Sequence, residues 1–195
     1  MQPSEIREIS SIPSLFVRFV QERPESNFVF VPEGKQPNID WCGISRQEAL
    51  ERVAGLAKRL EKLGIQKGSK VAIWANTRAE WCWIDMAVLS LGAVTVGIYP
   101  TLTKDVILEQ LRNADVEMLI VESESQYIQW EESFDELIRL RHVLTIDEGE
   151  ERIQLQGAEV ELEWYRQTVE RIEPTQLATI VFTSGSTGSS KGVML

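Results

Sequence analysis

The chain contains 195 residues, 43% of them hydrophobic and 26% charged, and it carries a formal net charge of −10. A chain this negative lacks the basic face that a nucleic-acid backbone demands, and it offers no polybasic attraction to anionic lipid. Six Trp and six Phe are too many for a disordered chain, and the length allows one globular domain.

Helical and strand patterns alternate along most of the chain. In chain order they predict a helix at residues 14–22, strands at 27–31 and 39–41, a helix from 45 to 64, a strand at 71–74, a helix at 77–91, a strand at 93–99, a helix at 103–113, a strand at 118–121, a helix at 125–140, a strand at 143–146, a helix at 161–171 and a strand at 178–182. Such alternation predicts an α/β fold with a parallel sheet covered by helices on both faces.

Local signals mark the ends of several predicted helices. Ser45 with Glu48 three residues later forms a capping-box pattern, and Thr77 with Glu80 repeats it. Gly64 is the left-handed residue that commonly ends a helix. These signals predict helix starts at residues 45 and 77 and a helix end at residue 64.

The longest apolar stretch, residues 86–99, is too short to cross a membrane. A bilayer core requires about 20 residues of helix, and Gly92 divides this stretch into a helix-like half and a β-branched half. We therefore expect a buried helix followed by a buried strand.

The remaining reactive or aromatic side chains fit structural roles. Cys42 and Cys82 are predicted to be buried free thiols, since two cysteines lack metal-cluster spacing and residues 1–10 contain no signal-peptide core. This favours a cytoplasmic location. His142, the only histidine, is predicted to lie at a surface or strand edge, and no metal site of protein ligands is expected. Trp81 and Trp83 fit core packing better than an acyl pocket.

The run from Thr183 to Gly192 reads T-S-G-S-T-G-S-S-K-G and follows a predicted strand. Glycines allow a backbone to fold tightly around an anion, hydroxyls donate to phosphate oxygens, and a lysine adds positive charge. The run lacks the G-K-[ST] of a nucleoside-triphosphatase loop and the G-x-G-x-x-G of a dinucleotide fold. A flexible Gly/Ser linker is the alternative interpretation. The ordered spacing after a strand favours polyphosphate binding.

This run resembles the phosphate loop of the adenylate-forming enzymes, whose usual pattern is [ST]-S-G-[ST]-T-G-x-P-K-G. The matching positions are Thr183, Ser184, Gly185, Ser186, Thr187, Gly188, Lys191 and Gly192. Ser190 replaces the usual proline, which predicts a less rigid loop. The I-Y-P-T-L-T turn at residues 98–103 is similar to that of long-chain fatty acyl-CoA synthetases. The resemblance covers most of residues 40–195.

The resemblance implies an ATP-dependent ligase that adenylates a fatty acid and transfers the acyl group to CoA, with Mg²⁺ bound through ATP. The loop would hold the β- and γ-phosphates, and Lys191 would offset the pyrophosphate charge. The family's adenine-binding motif, magnesium-binding glutamate and C-terminal lysine lie after this loop. Residues 1–195 are therefore expected to be the N-terminal portion of such a ligase, without its C-terminal part and lid domain. No catalytic residue is assigned within the chain, and it is expected to be inactive alone.

Two alternatives stay open at this point. One is a non-catalytic remnant, or a module that binds nucleotide or a partner chain. The other is an adenylating enzyme for an aryl or amino acid. Peripheral membrane contact is compatible with the fatty-acid interpretation.

Overall fold

The computed structural model describes residues 11–35, 38–147, 153, 162–184 and 190–195. Its first elements are α1 (Ile12–Glu22), β1 (Asn27–Lys35), β2 (Asn38–Ser45), α2 (Arg46–Lys62), β3 (Lys70–Trp74), α3 (Ala79–Ser90) and β4 (Val94–Ile98). They are followed by α4 (Lys104–Asn113), β5 (Met118–Val121), α5 (Glu124–Phe134), β6 (His142–Thr145), α6 (Leu162–Glu170), β7 (Thr179–Ser184) and β8 (Ser190–Met194).

The main sheet of the described residues has the strand order β6-β5-β3-β4-β7-β8. The strands from β6 to β7 run parallel, and β8 alone pairs antiparallel, against β7. β1 and β2 form a separate antiparallel pair. The predicted α/β fold with a parallel sheet is confirmed. The short strand β8 begins at Ser190, within the glycine-rich run, and was not predicted.

Helices cover both faces of the sheet, as predicted. On one face, α1, α2, α3 and α6 contact one another around a core that includes Leu56, Ile73 and Ile84. On the other face, α4 and α5 pack over a core that includes Ile107, Leu119 and Phe134. The strands β3 and β5 are buried on both sides, which explains why they read as continuous apolar runs.

The structure confirms one predicted capping box and contradicts the other. Glu48 N donates to Ser45 Oγ at 3.2 Å, and Ser45 N donates to Glu48 Oε2 at 2.8 Å. Helix α3, in contrast, begins at Ala79 with Arg78 as its N-cap residue, and the predicted cap at Thr77 is wrong. The Glu80 carboxylate accepts from Arg78 Nε at 2.8 Å instead. A guanidinium outcompetes a backbone amide for the same carboxylate because the resulting bond joins two full charges.

Of two further predicted helix ends, the structure confirms one and corrects the other. Gly64 has a φ of 87°, as its predicted place at the end of α2 requires. Helix α5 ends at Phe134, not at residue 140 as predicted. Two successive turns follow it and bury Leu137, while Ile138 is 98% exposed. These turns place Leu137 in the core beneath α5 and Leu140 against it, before the chain enters β6 at His142.

The other single-residue predictions have mixed outcomes. Cys42 and Cys82 are free, but Cys42 is half-buried and Cys82 exposed, so the prediction of buried thiols is wrong. Trp83 is buried in the core as predicted, whereas Trp81 is only half-buried. His142 begins β6, which is an edge strand. Within the described residues no helix combines the length and apolarity that a membrane crossing needs.

Candidate functional site

A crevice opens where β3, β4 and β7 reach their carboxyl ends. Helix α3, which follows β3, packs on one face of the sheet, and α4, which follows β4, packs on the other. Neighbouring parallel strands whose helices leave in opposite directions form a topological switch point, where open α/β sheets bind ligands. The glycine-rich run begins in the last two residues of β7, at this same edge.

A cavity of about 390 Å³ lies at this edge. Its lining comes from the segment after β3, the start of α3, the end of β4 and the strand β7: Ala75, Asn76, Thr77, Arg78, Trp81, Cys82, Gly97, Ile98, Tyr99, Pro100, Thr179 and Val181. Most of these walls are apolar or aromatic, with a few polar groups among them, which is the composition of a small-molecule pocket. A Cβ atom on Gly97 would lie 3.7 Å from the Trp81 ring, so the glycine keeps the floor of the cavity open.

One side of the cavity rests on an ionic network centred on Arg78. Its guanidinium contacts Glu80 at 2.8 Å, Asp147 at 2.7 Å and Glu122 at 3.6 Å. Asn76 adds a side-chain hydrogen bond of 2.6 Å to Glu122. The pKa of Arg78 is raised, chiefly by its hydrogen bond to Glu80. Because these residues follow β3, β5 and β6, the network holds three strand ends together at the crevice.

Asp85 is not one of the lining residues of the cavity, but its charge acts on Cys82, which is, and sequence reasoning did not single it out. It lies on α3 one turn after Cys82, and burial raises its pKa, an effect that the facing Thr95 side chain partly offsets. Although Cys82 as a whole residue is exposed, partial desolvation of its thiol raises the pKa of that group, and the charge of Asp85 adds to the rise. An acidic residue inside the apolar stretch from residue 81 to residue 91 was the available signal.

Two of the predicted phosphate-binding residues are described with their side chains, and the fold brings them together. Thr183 in β7 lies directly opposite Lys191 in β8, and both are exposed. Directly opposed residues of an antiparallel pair project from the same face, so a hydroxyl and an ammonium group stand side by side. This donor set fits a polyphosphate, to which both groups can donate hydrogen bonds.

Of the other predicted loop residues, the structure describes only the backbone of Ser184. Ser184 is placed by its backbone pairing with Ser190. Gly185, Ser186, Thr187 and Gly188 lie outside the described residues. Among the residues that the structure does describe, no group of three or more His, Cys, Asp or Glu side chains could hold a metal ion.

One protein family and several individual proteins match this chain over most of its length. The family described as "AMP-binding enzyme" matches residues 16–195. The chain is 31% identical over 183 residues to the long-chain-fatty-acid–CoA ligase FadD15 of Mycobacterium tuberculosis, covering 91% of this chain and 30% of that protein. It is 26% identical over 200 residues to the long-chain-fatty-acid–CoA ligase ACSBG2 of Xenopus laevis, covering 96% and 27%.

Solved structures share the fold. A long-chain-fatty-acid–CoA ligase, FadD1, from Archaeoglobus fulgidus superposes with a TM-score of 0.73 at 18% identity, over 95% of this chain and 36% of that one. The anthranilate–CoA ligase AuaEII superposes with a TM-score of 0.72 at 21% identity, over 100% and 36%. The chain thus spans about a third or less of the length of these relatives.

Proposed function

Because the chain belongs to the AMP-binding enzyme family, we propose that it provides the phosphate-binding part of an ATP-dependent long-chain fatty acid–CoA ligase. In the reaction proposed for the whole ligase, a fatty-acid carboxylate attacks the α-phosphorus of Mg·ATP and releases pyrophosphate. The thiol of CoA then displaces AMP from the acyl-adenylate. The ligase activity, its substrates and its cofactors are proposed for a polypeptide of the relatives' length, of which this chain spans about 30%.

The observation that carries the proposal is the pairing of Thr183 with Lys191 at the carboxyl edge of the sheet. In the proposed complex, Lys191 neutralises the charge that develops on the pyrophosphate, and Thr183 donates to a phosphate oxygen. Ser184, Ser186 and Thr187 would add hydrogen bonds, and Gly185 and Gly188 would let the backbone approach the phosphates. Phosphoryl chemistry of this kind depends mainly on positioning and charge neutralisation.

Binding of Mg·ATP to the purified chain tests this role. Removing the ammonium group in Lys191→Ala deletes a charge-assisted hydrogen bond worth about 1.5–3 kcal/mol, which corresponds to affinity about 10- to 100-fold weaker. Lys62→Ala is the matched control, since Lys62 ends α2 at the opposite edge of the sheet. We expect saturable binding by the parent chain and the Lys62 variant in calorimetry. Equal binding by the Lys191 variant would contradict the assignment.

A second assay addresses activity. We expect no acyl-CoA product from the 195-residue chain incubated with palmitate, Mg·ATP and CoA, and a measurable product would overturn that expectation. No binding of nucleotide at all would favour the alternative of a non-catalytic remnant. The fold shared with an anthranilate–CoA ligase keeps an aryl acid as the second substrate candidate. Both acids should therefore be offered to a polypeptide of the relatives' length.

The cellular location is also a proposal. We expect the protein in the cytoplasm, where ATP and CoA are available, with peripheral membrane contact as a source of fatty acid. Cell fractionation separates a freely cytoplasmic protein, which stays in the supernatant, from one in contact with membranes, which sediments with them. A carbonate wash of the membranes then releases a peripheral protein into the supernatant.

A further inference from the structure

We propose that Gln110 is a positioning residue for the phosphate loop: its side-chain amide holds Ser190 and so fixes the point where the chain leaves the loop. The contact joins α4 to the first residue of β8. Its consequence for nucleotide binding rests on the proposed function, whereas its consequence for the order of β8 does not.

The geometry of the contact is specific. Gln110 Nε2 donates to Ser190 Oγ at 3.1 Å, between residues separated by 80 positions in the sequence. Gln110 is 3% exposed and lies between Ile107 and Leu111, which face the core beneath α4. No other side-chain hydrogen bond joins α4 to the strand pair β7–β8 among the residues that the structure describes. The glutamine thus reaches from a buried helix face to the base of the loop.

The buried glutamine is costly as a packing residue. Its Oε1 atom is also buried and has no hydrogen-bond partner within the described part of the chain. Burying an amide with an unsatisfied oxygen costs free energy, and an apolar side chain of similar volume avoids that cost. A residue that served only to fill this space would be better replaced by methionine or leucine. The amide is therefore best explained by the bond that it makes to Ser190.

Ser190 stands at the closing pair of the loop. Its backbone pairs with that of Ser184, and the next pair inward on the sheet joins Thr183 to Lys191. In the family pattern that this run resembles, the position of Ser190 is a proline, whose ring restricts the backbone. Here the hydroxyl group, held by Gln110, supplies a restraint of another kind. The expectation that Ser190 makes the loop less rigid overlooked this partner, which lies far away in the sequence.

The contact also links the two segments that border the crevice. Helix α4 begins directly after the turn at residues 99–103, which carries the cavity residues Tyr99 and Pro100. By holding Ser190, α4 sets the position of Lys191 relative to that turn. Small displacements of a binding group lower affinity even when the group itself is intact.

Gln110→Met separates this role from simple packing. Methionine of similar volume removes the donor together with the unsatisfied oxygen, so the thermal unfolding temperature should stay the same or rise. Mg·ATP affinity should nevertheless fall about 2- to 10-fold, the effect of one neutral hydrogen bond. Amide hydrogen exchange at residues 191–194 should become faster. Gln47→Met is the matched control, because the Gln47 side chain bonds only to Glu51, on the surface of α2, among the contacts of the described chain.

A double-mutant cycle and a rescue complete the test. Ser190→Ala should weaken binding in the parent chain but add nothing in the Gln110→Met background, because the shared bond is already lost. Ser190→Pro in that background should restore part of the affinity, since the ring replaces the lost restraint. Unchanged affinity and unchanged exchange at residues 191–194 in Gln110→Met would overturn the proposal. If no form of the chain binds nucleotide, the proposed function fails, while faster exchange in Gln110→Met and in Ser190→Ala would still support the contact.

Discussion

The hydrogen bond between Tyr165 and Ser90 offers a sharp test of how α6 is held against α3. Tyr165 Oη lies 2.6 Å from Ser90 Oγ, and both residues are fully buried. Ser90 Oγ also lies 2.6 Å from the carbonyl oxygen of Met86, to which it donates. The serine proton is thus committed to the helix backbone, and the tyrosine hydroxyl must donate to the serine oxygen. The two side chains therefore respond differently to removal of their partner.

Tyr165→Phe removes the donor and leaves Ser90 bonded to its own helix. The expected loss of unfolding free energy is that of one neutral hydrogen bond, about 0.5–1.5 kcal/mol. Ser90→Ala leaves the buried phenol without a partner, and the expected loss is larger, about 1–3 kcal/mol. With both changes no polar group is stranded, so the double variant should cost less than the sum of the two single ones. The shortfall should be about 1 kcal/mol.

Urea unfolding followed by tryptophan fluorescence measures the free energy of unfolding of the parent chain, the two single variants and the double variant. For a chain of this length, each kcal/mol corresponds to a change of about 2–4 °C in unfolding temperature, which gives an independent check. Burial raises the pKa of Tyr165, an effect that Ser90 partly offsets, so the phenol stays neutral even above its ordinary pKa. The cycle is therefore measured at pH 7. Strict additivity, or a loss in Tyr165→Phe larger than in Ser90→Ala, would refute the reasoning.

Three further changes test a buried carboxyl group, the ionic network of Arg78 and a glycine with a left-handed backbone. Burial raises the pKa of Asp85 in the folded chain, so the protonated carboxyl stabilises the fold fully below the unfolded pKa, and this stabilisation is lost as pH rises through the folded pKa. Asp85→Asn should therefore raise the unfolding temperature at pH 8 but not at pH 4. An equal change at both pH values would contradict this reasoning. Arg78→Gln removes the guanidinium that three carboxylates share, although Glu122 keeps its hydrogen bonds from Asn76. The free energy of unfolding in urea should fall by about 1–2 kcal/mol, discounted for partial exposure, and no loss would show that solvent already screens the network. Gly92→Ala should lower the free energy of unfolding by more than about 1 kcal/mol, because Gly92 has a φ of 67° and an added Cβ would meet the Gln176 side chain. Gly64→Ala is the control: Gly64 has a φ of 87° but open space around it, so the loss should be smaller.

The candidate site was predictable to the extent that its residues are close in sequence. The spacing of Thr183, Gly185, Gly188 and Lys191 indicated a phosphate loop after a strand. The structure confirms the strand, whereas the pairing of Thr183 with Lys191 was not predicted. The antiparallel strand that carries Lys191 escaped prediction because its short, glycine-containing segment has no apolar alternation. Only its partner β7 makes it a strand.

What the sequence determined by itself is the α/β order of elements and the local devices that need no distant partner. The Ser45 capping box closes within a single helical turn, and Gly64 adopts its left-handed backbone because it lacks a Cβ. The tertiary structure alone decided where Glu80 binds, how deeply Asp85 is buried, and that Gln110 holds Ser190. Each of these depends on a side chain or strand that folding brings together from another part of the chain, and no local pattern specifies such a neighbour.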